Sequence, residues 1–219
     1  MSIDQKVNEI VKTSRHDFSN EGLTEHAAEK DPHRQFEIWF SEAVEKRVPE
    51  PNAMVLSTST PSGRPSSRVV LLRDIGEAGF TFFTNYDSRK GGELESNPRA
   101  ALLFYWEKTH KQVRIEGTVA RVPEEVSDDY FASRPRGNRI GAIISPQSKV
   151  IDGRRDLEAR YSKMEEELED RKIARPANWG GYILTPETYE FWQGRASRLH
   201  DRLRYTRKDE GWEIVRLAP

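Results

Sequence analysis

Residues 112–122 alternate strictly, with Val113, Ile115, Gly117 and Val119 on one side and Gln112, Arg114, Glu116 and Thr118 on the other. Successive side chains of a strand point to opposite faces, so this is a long strand with one dry and one wet face. Such a strand needs a sheet, and the surrounding sequence supplies one. Residues 100–106 are a nearly continuous apolar run, read as a strand buried on both faces. Residues 53–60, 67–73 and 80–84 are short strand patterns separated by turns at Pro61-Ser62-Gly63 and at 76–79, which predicts an antiparallel meander. Strand patterns return at 181–185, 187–192, 202–207 and 212–217.

Helices are set between and beside these strands. Asp31-Pro32 is an N-cap followed by proline at the first helical position, and Phe36, Trp39, Phe40, Ala43 and Val44 then recur at helical spacing. Ser88 is placed to cap a short helix. Residues 123–133 and 139–145 read as two more, and Leu157, Tyr161, Met164 and Leu168 give 155–171 an ordinary packing face. The sum is a mainly β fold with flanking helices (α+β), a small closed or split β-barrel. One domain over 31–219 follows a polar, weakly patterned arm at 1–30, with a short helix expected near residues 3–13.

Composition narrows the chemistry. With 35 basic and 36 acidic residues the net charge is −1, unlike a general nucleic-acid binder. Arginine is concentrated around 134–139 and 195–207, and local cationic patches on a neutral protein suit small anionic ligands. The absence of cysteine removes disulfides, thiolate chemistry and cysteine-ligated metals. His16, His26, His33, His110 and His200 have no ligand spacing, so no metal is expected. No apolar run approaches the roughly 20 residues of a membrane span, and the N-terminus has no apolar signal core; the expectation is a soluble cytoplasmic protein.

Three stretches could carry a ligand. Thr84, Asn85, Ser88, Arg89 and Lys90 lie at a strand-to-helix junction, where free backbone N–H groups favour anions. The same residues would also make a capped surface helix with two solvated cations. Tyr130, Arg134 and Asn138 recur at i, i+4 and i+8, but Pro135 interrupts the helix, so the chain is expected to leave it and curl around a ligand such as a phosphate monoester. Arg198, His200 and Arg202, if extended, share one face, with Leu199 and Asp201 on the other. Three such heads repel one another unless an anion lies between them; a solvated edge strand is the plain alternative.

Residues 191–194, 198–202 and the terminal Arg216-Leu217-Ala218-Pro219 resemble the pyridoxine (pyridoxamine) 5′-phosphate oxidase family. The resemblance continues through 68–73, 84–90, 112–117, 130–136 and Gln147-Ser148, in the family's order, and covers about residues 30–219. It implies an FMN-binding split barrel, a homodimer with flavin between the subunits, and oxidation of pyridoxamine or pyridoxine 5′-phosphate to pyridoxal 5′-phosphate. Hydride would pass to the flavin and oxygen would become hydrogen peroxide.

By resemblance, Arg68, Val69, Val70, Leu71, Leu72, Arg73, Phe83, Thr84, Ser88, Arg89 and Lys90 bind FMN, as do Trp192 and Arg202. Gln112, Gln147 and Ser148 would reach it from the neighbouring subunit. Arg73, Tyr130, Arg134 and Asn138 would hold the substrate phosphate. Arg198 and His200 would hold the substrate ring over the flavin as the catalytic pair. The sequence departs from the family pattern at Arg73, where many members have lysine, and at Asn138, where serine is expected. A flavin reductase of the same barrel type would lack the 198–202 cluster. A non-catalytic flavin or pyridoxal phosphate binder would use the same arginines.

Overall fold

A computed structural model of the chain describes residues 22–169 and 171–219, together with Val7, Glu9, Val11, Lys12 and Phe18. Helix α1 (Pro32–Glu45) begins as its sequence predicts: the Asp31 carboxylate accepts the His33 N–H at 2.9 Å, and Pro32 occupies the first turn. Its buried side, Phe36, Trp39 and Ala43, enters the core, where the Phe36 ring meets Phe80 and Phe104 at 4.9 and 5.0 Å. Val44, the last position of the expected apolar face, is instead exposed.

Among the described residues, nine strands form one antiparallel sheet: β1 (Ala53–Ser59), β2 (Pro65–Leu71), β3 (Asp74–Gly76), β4 (Gly79–Asn85), β5 (Arg99–Trp106), β6 (Lys111–Arg121), β7 (Trp179–Gln193), β8 (Asp201–Lys208) and β9 (Gly211–Arg216). The order is β2-β1-β5-β6-β7-β4-β3, with β8 and β9 continuing from β7. Thus the expected meander of the first three strand patterns does not form: β4 pairs with β7 and β3, not with β2. The chain changes partners within one residue. The Leu72 N–H extends the β1–β2 ladder to Asn52 O at 2.8 Å, and the Arg73 N–H joins Thr81 O at 2.9 Å. That corner brings β2 and β4, far apart in the pairing order, together across the curled sheet.

Two other strand expectations are corrected. β5 is buried on one face only. Leu102, Phe104 and Trp106 face the core, whereas Tyr105 is 54% exposed and Leu103 half-buried. Register places Leu103, Val55 and Val69 side by side on the outer face, so the apolar run lines an external surface of the single chain. The patterns at 181–185 and 187–192 are one strand. Pro186 cannot donate to the ladder, and β7 bulges beside it: Glu116 pairs with Thr188 and Gly117 with Pro186, so Glu187 is the extra residue. A Cβ at Gly117 would lie 2.0 Å from Thr185 O, so only glycine fits there.

Further along the chain lie helices α2 (Arg89–Ser96), α3 (Glu124–Ser133), α4 (Arg136–Ile144) and α5 (Arg154–Leu168). The large core lies between the sheet and α1. A smaller cluster of Phe131, Ile140, Ile173 and Trp179 is covered by Tyr161, Met164 and Leu168 of α5, the face its spacing predicted. Of the helix expected near residues 3–13, Val7, Glu9, Val11 and Lys12 are described and are helical; the other residues of that stretch lie outside the described residues. Within the expected arm, residues 22–30 are docked. Leu23 is buried, the Tyr205 hydroxyl donates to Glu29 O at 2.8 Å, and Arg216 pairs with Glu25 at 2.8 Å.

Candidate active site

A cavity of about 550 Å³ opens where β2, β4, the start of α2, the α3–α4 corner and the start of β7 converge. Its wall includes Arg68, Val69, Val70, Leu71 and Arg73 from β2 and the corner after it, with Phe83 and Thr84 from β4 and Lys90 from α2. Tyr130, Arg134 and Asn138 line the far side, and Gln147 also lines the cavity. The lining carries Arg68, Arg73, Lys90 and Arg134 and, among the described residues, no carboxylate.

The near side is built on the start of α2. Ser88 caps the helix, accepting the Gly91 N–H at 3.3 Å and donating to Asn85 O at 2.7 Å. Gly91 packs against the chain before it; a Cβ there would meet Tyr86 O at 2.0 Å. Lys90 Nζ donates to Thr84 Oγ1 at 3.0 Å and to Gln147 Oε1 at 2.8 Å, both neutral acceptors. Burial, with a smaller push from Arg68, brings the Lys90 ammonium down to about 8. Arg68 donates to Thr58 Oγ1 at 2.7 Å, to Ser66 Oγ and to Leu56 O. Behind it, the buried Glu93 carboxylate receives Thr58 Oγ1 at 2.5 Å, Ser66 Oγ at 2.6 Å and Arg89 Nε at 2.9 Å. Burial alone would raise that carboxyl, but these hydrogen bonds and the Arg89 charge outweigh it and hold it at about 2.

The far side depends on Pro135. Helix α3 ends at Ser133, Arg134 is extended at φ −71° and ψ 146°, and α4 starts at Arg136, as the proline predicted. The break turns Arg134 over the Trp179 ring, with Cζ 4.6 Å from its centroid. Arg134 Nη1 is buried and has no hydrogen-bond partner among the described residues. Burial lowers the proton affinity of this guanidinium; Tyr130 opposes that shift and Arg73 adds to it. Arg73 lies 5.9 Å over the Tyr130 ring.

Other expected residues fall outside the cavity lining. Leu72 is buried in the core, and Ser88 acts as the cap described above. Arg89, 54% exposed, is turned onto Glu93. Ser148 follows Gln147 in an exposed turn at φ 71°. Gln147 itself, expected to serve the neighbouring subunit, reaches the cavity of its own chain.

Gln112, Trp192, Arg202, Arg198 and His200 form a second group. Gln112, Trp192 and Arg202 are direct cross-strand neighbours on β6, β7 and β8, and the His200 and Trp192 rings lie 4.7 Å apart. The extended reading of 198–202 does not hold: 196–198 form a 3₁₀ turn with Ser197 and Arg198 at φ 56° and 60°, and the strand starts at Asp201. Leu199, which that reading placed on the opposite face, is 70% exposed. Arg198 is exposed and carries no hydrogen bond or ion pair among the described residues, whereas Arg202 is held by the buried Glu190 carboxylate at 2.8 Å and by Ala218 O at 2.8 Å. His200 Nδ1 accepts the Arg195 N–H at 3.0 Å, and burial together with Arg198 lowers its pKa.

Sequence reading missed Glu93 and Trp179. Glu93 carried a usable signal, four residues after Arg89 on a helix. Trp179 carried none; its contacts with Phe83, Tyr130 and Arg134 are all non-local.

Comparison with known proteins matches two family models, pyridoxamine 5′-phosphate oxidase over residues 40–167 and the pyridoxine 5′-phosphate oxidase C-terminal dimerisation region over 179–219. The chain is 54% identical over 205 residues to the pyridoxine/pyridoxamine 5′-phosphate oxidase of Rubrobacter xylanophilus, covering 94% of each chain. It is 53% identical over 207 residues to that of Paraburkholderia xenovorans, covering 94% of this chain and 97% of the relative. Among solved structures, PhzG from Burkholderia lata, crystallised with tetrahydrophenazine-1-carboxylic acid, superposes with a TM-score of 0.86 at 32% identity, over 92% of this chain and 100% of that one. A pyridoxamine 5′-phosphate oxidase-related, FMN-binding protein of Nostoc punctiforme shares the fold, with a TM-score of 0.68 at 17% identity over 84% and 97% of the two chains. The curled antiparallel sheet with flanking helices is therefore a split barrel of this kind, and the chain is an oxidoreductase that belongs to the pyridoxamine 5′-phosphate oxidase family.

Proposed function

We propose that the protein oxidises pyridoxamine or pyridoxine 5′-phosphate to pyridoxal 5′-phosphate, with bound FMN and with oxygen reduced to hydrogen peroxide. The observation that carries this reading is a cavity with two cationic walls, Arg68 and Lys90 on one, Arg73 and Arg134 on the other, and no carboxylate among the described lining residues. Two cationic walls in one cavity, with Lys90 partly desolvated on one and Arg134 on the other, suit two phosphate groups, one from a cofactor and one from a substrate.

The residues present fit FMN. Thr84, Lys90 and the capped start of α2 offer hydroxyl, ammonium and free backbone N–H donors for its phosphate, with Arg68 behind them. When bound, FMN would supply the hydride acceptor and return the electrons to oxygen. The protein's part is position and charge. Arg134, Tyr130, Arg73 and Asn138 bind the substrate phosphate on the far wall. Since Nδ1 of His200 accepts from a backbone N–H, the neutral ring carries its proton on Nε2, which serves as a donor to the substrate ring. Arg198, exposed and with no hydrogen bond or ion pair among the described residues, supplies the second contact. Both belong to the group outside the cavity, so in this reading they complete the cavity of the other subunit in a homodimer.

An oxygen-uptake assay with pyridoxamine 5′-phosphate tests the proposal. The expected protein is yellow, releases FMN on denaturation, and consumes oxygen while forming pyridoxal 5′-phosphate and peroxide. A protein that binds FMN and both phosphates without consuming oxygen would be a carrier.

A further inference from the structure

We propose that Trp179 is a positioning residue: its ring face holds the Arg134 guanidinium so that the guanidinium edge is left free for the phosphate monoester. The proposal rests on the substrate reading above only for the identity of that anion.

The indole is fixed before it touches the site. Trp179 opens β7 opposite Asn85, its N–H donates to Pro176 O at 3.0 Å, and its carbonyl accepts Arg175 Nη1 at 2.8 Å. Its buried ring lies nearly parallel to Phe83, at 5.6 Å and 13°, and to Tyr130, at 6.2 Å and 4°. Phe83 and Tyr130 stack at 3.9 Å and 17°. Three rings from three elements therefore share one orientation, and Phe131 braces the indole edge-on at 5.1 Å. Arg134 Cζ sits 4.6 Å over this platform.

A ring face attracts the charge of a guanidinium but leaves the in-plane N–H groups unbonded. A carboxylate does the opposite. Arg202 shows the contrast, with Nε and Nη2 taken by Glu190 and Nη1 by Ala218 O. Arg134 keeps a buried Nη1 with no partner among the described residues. A buried unpaired donor is costly, and an incoming acceptor removes that cost.

Trp179 also belongs to a small apolar cluster, so the test separates positioning from packing. In FMN-loaded protein, inorganic phosphate is titrated by calorimetry for the wild type, Trp179→Phe, Trp179→Leu, Arg134→Ala and the two double variants. Steady-state kinetics with pyridoxamine 5′-phosphate and an FMN titration run alongside. Trp179→Leu is expected to weaken phosphate binding about three- to thirtyfold, with Trp179→Phe between it and the wild type. KM should rise in step while kcat and FMN affinity stay within about twofold, since the lost interaction is ground-state phosphate binding. In the Arg134→Ala background neither Trp179 substitution should cost anything further. Unchanged phosphate affinity, an equal loss without Arg134, or FMN loss in parallel would overturn the assignment. If Trp179→Leu does not fold, the Trp179→Phe pair decides by the same coupling. A wild type that binds phosphate through Arg134 but does not oxidise pyridoxamine 5′-phosphate would refute the substrate reading and leave the Trp179 assignment standing.

Discussion

Lys90 Nζ and Gln147 Oε1 stand 2.8 Å apart at the cavity wall. The buried ammonium thus has a neutral amide where an anion would serve it better, with Thr84 as its other close acceptor.

This pairing has a pH signature. Lys90 is drawn down to about 8, against an ordinary value of 10.5. A bound phosphate would raise it again, so FMN binding should weaken as pH rises above about 8, by up to about tenfold per unit. Fluorescence titration across that range checks this, and Lys90→Met should flatten the slope. Stability of the FMN-free protein runs the other way. The unfolded chain holds the lysine proton more tightly, so burial of Lys90 costs most below its folded pKa, and stability rises as pH climbs from about 8 towards 10.5.

Glu93 holds Arg68 and Arg89 from behind, with its side chain 6% exposed. Glu93→Gln should cost about 1.5–3 kcal/mol of stability, the scale of charge-assisted hydrogen bonds, and loosen FMN binding through Arg68. Thermal melts with and without FMN measure both effects. Because its folded pKa is depressed to about 2, the stabilisation is present above about 4.5 and is lost as pH falls towards 2. The variant should lack that acid-limb dependence.

Arg198→Ala should leave the melting temperature and FMN affinity unchanged, because Arg198 has no internal hydrogen bond or ion pair among the described residues. KM for pyridoxamine 5′-phosphate should rise and kcat fall, as misplacing a hydride donor is costly. His200→Ala should follow the same trend more weakly. Near-normal kcat/KM in Arg198→Ala would make this turn an ordinary exposed basic segment.

The two residue groups predict a shared site. Inactive Arg134→Ala and Arg198→Ala dimers, unfolded together and refolded, should regain about a quarter of wild-type activity, since half of the dimers would be mixed and each would hold one intact site. Sites contained within single chains would leave the mixture inactive.

Much of this was legible locally. The Asp31 and Ser88 caps, the alternation in β6, the Pro135 break and the apolar face of α5 all follow from near neighbours in sequence. Strand partners did not follow. Nothing at Leu72 or Arg73 indicates that the chain leaves β1 for β4, and Pro186 reads as a strand break unless the β7 bulge at Glu187, opposite Glu116 and Gly117, is known. The cavity residues of β2, β4, α2 and α3 were recognised as types with the right donors. The 198–202 segment was misread because alternation implies one face only when the backbone is extended, and Ser197 and Arg198 have positive φ. Trp179 was invisible because a tryptophan's role is set by what folds onto it.

The most direct test is a single turnover without oxygen. FMN-loaded protein is mixed anaerobically with pyridoxamine 5′-phosphate, and the flavin absorbance is followed. The account predicts that the yellow band bleaches as one equivalent of pyridoxal 5′-phosphate forms, and that admitting oxygen restores it with one equivalent of peroxide. A flavin band that stays unchanged while the phosphate ligand binds would contradict it.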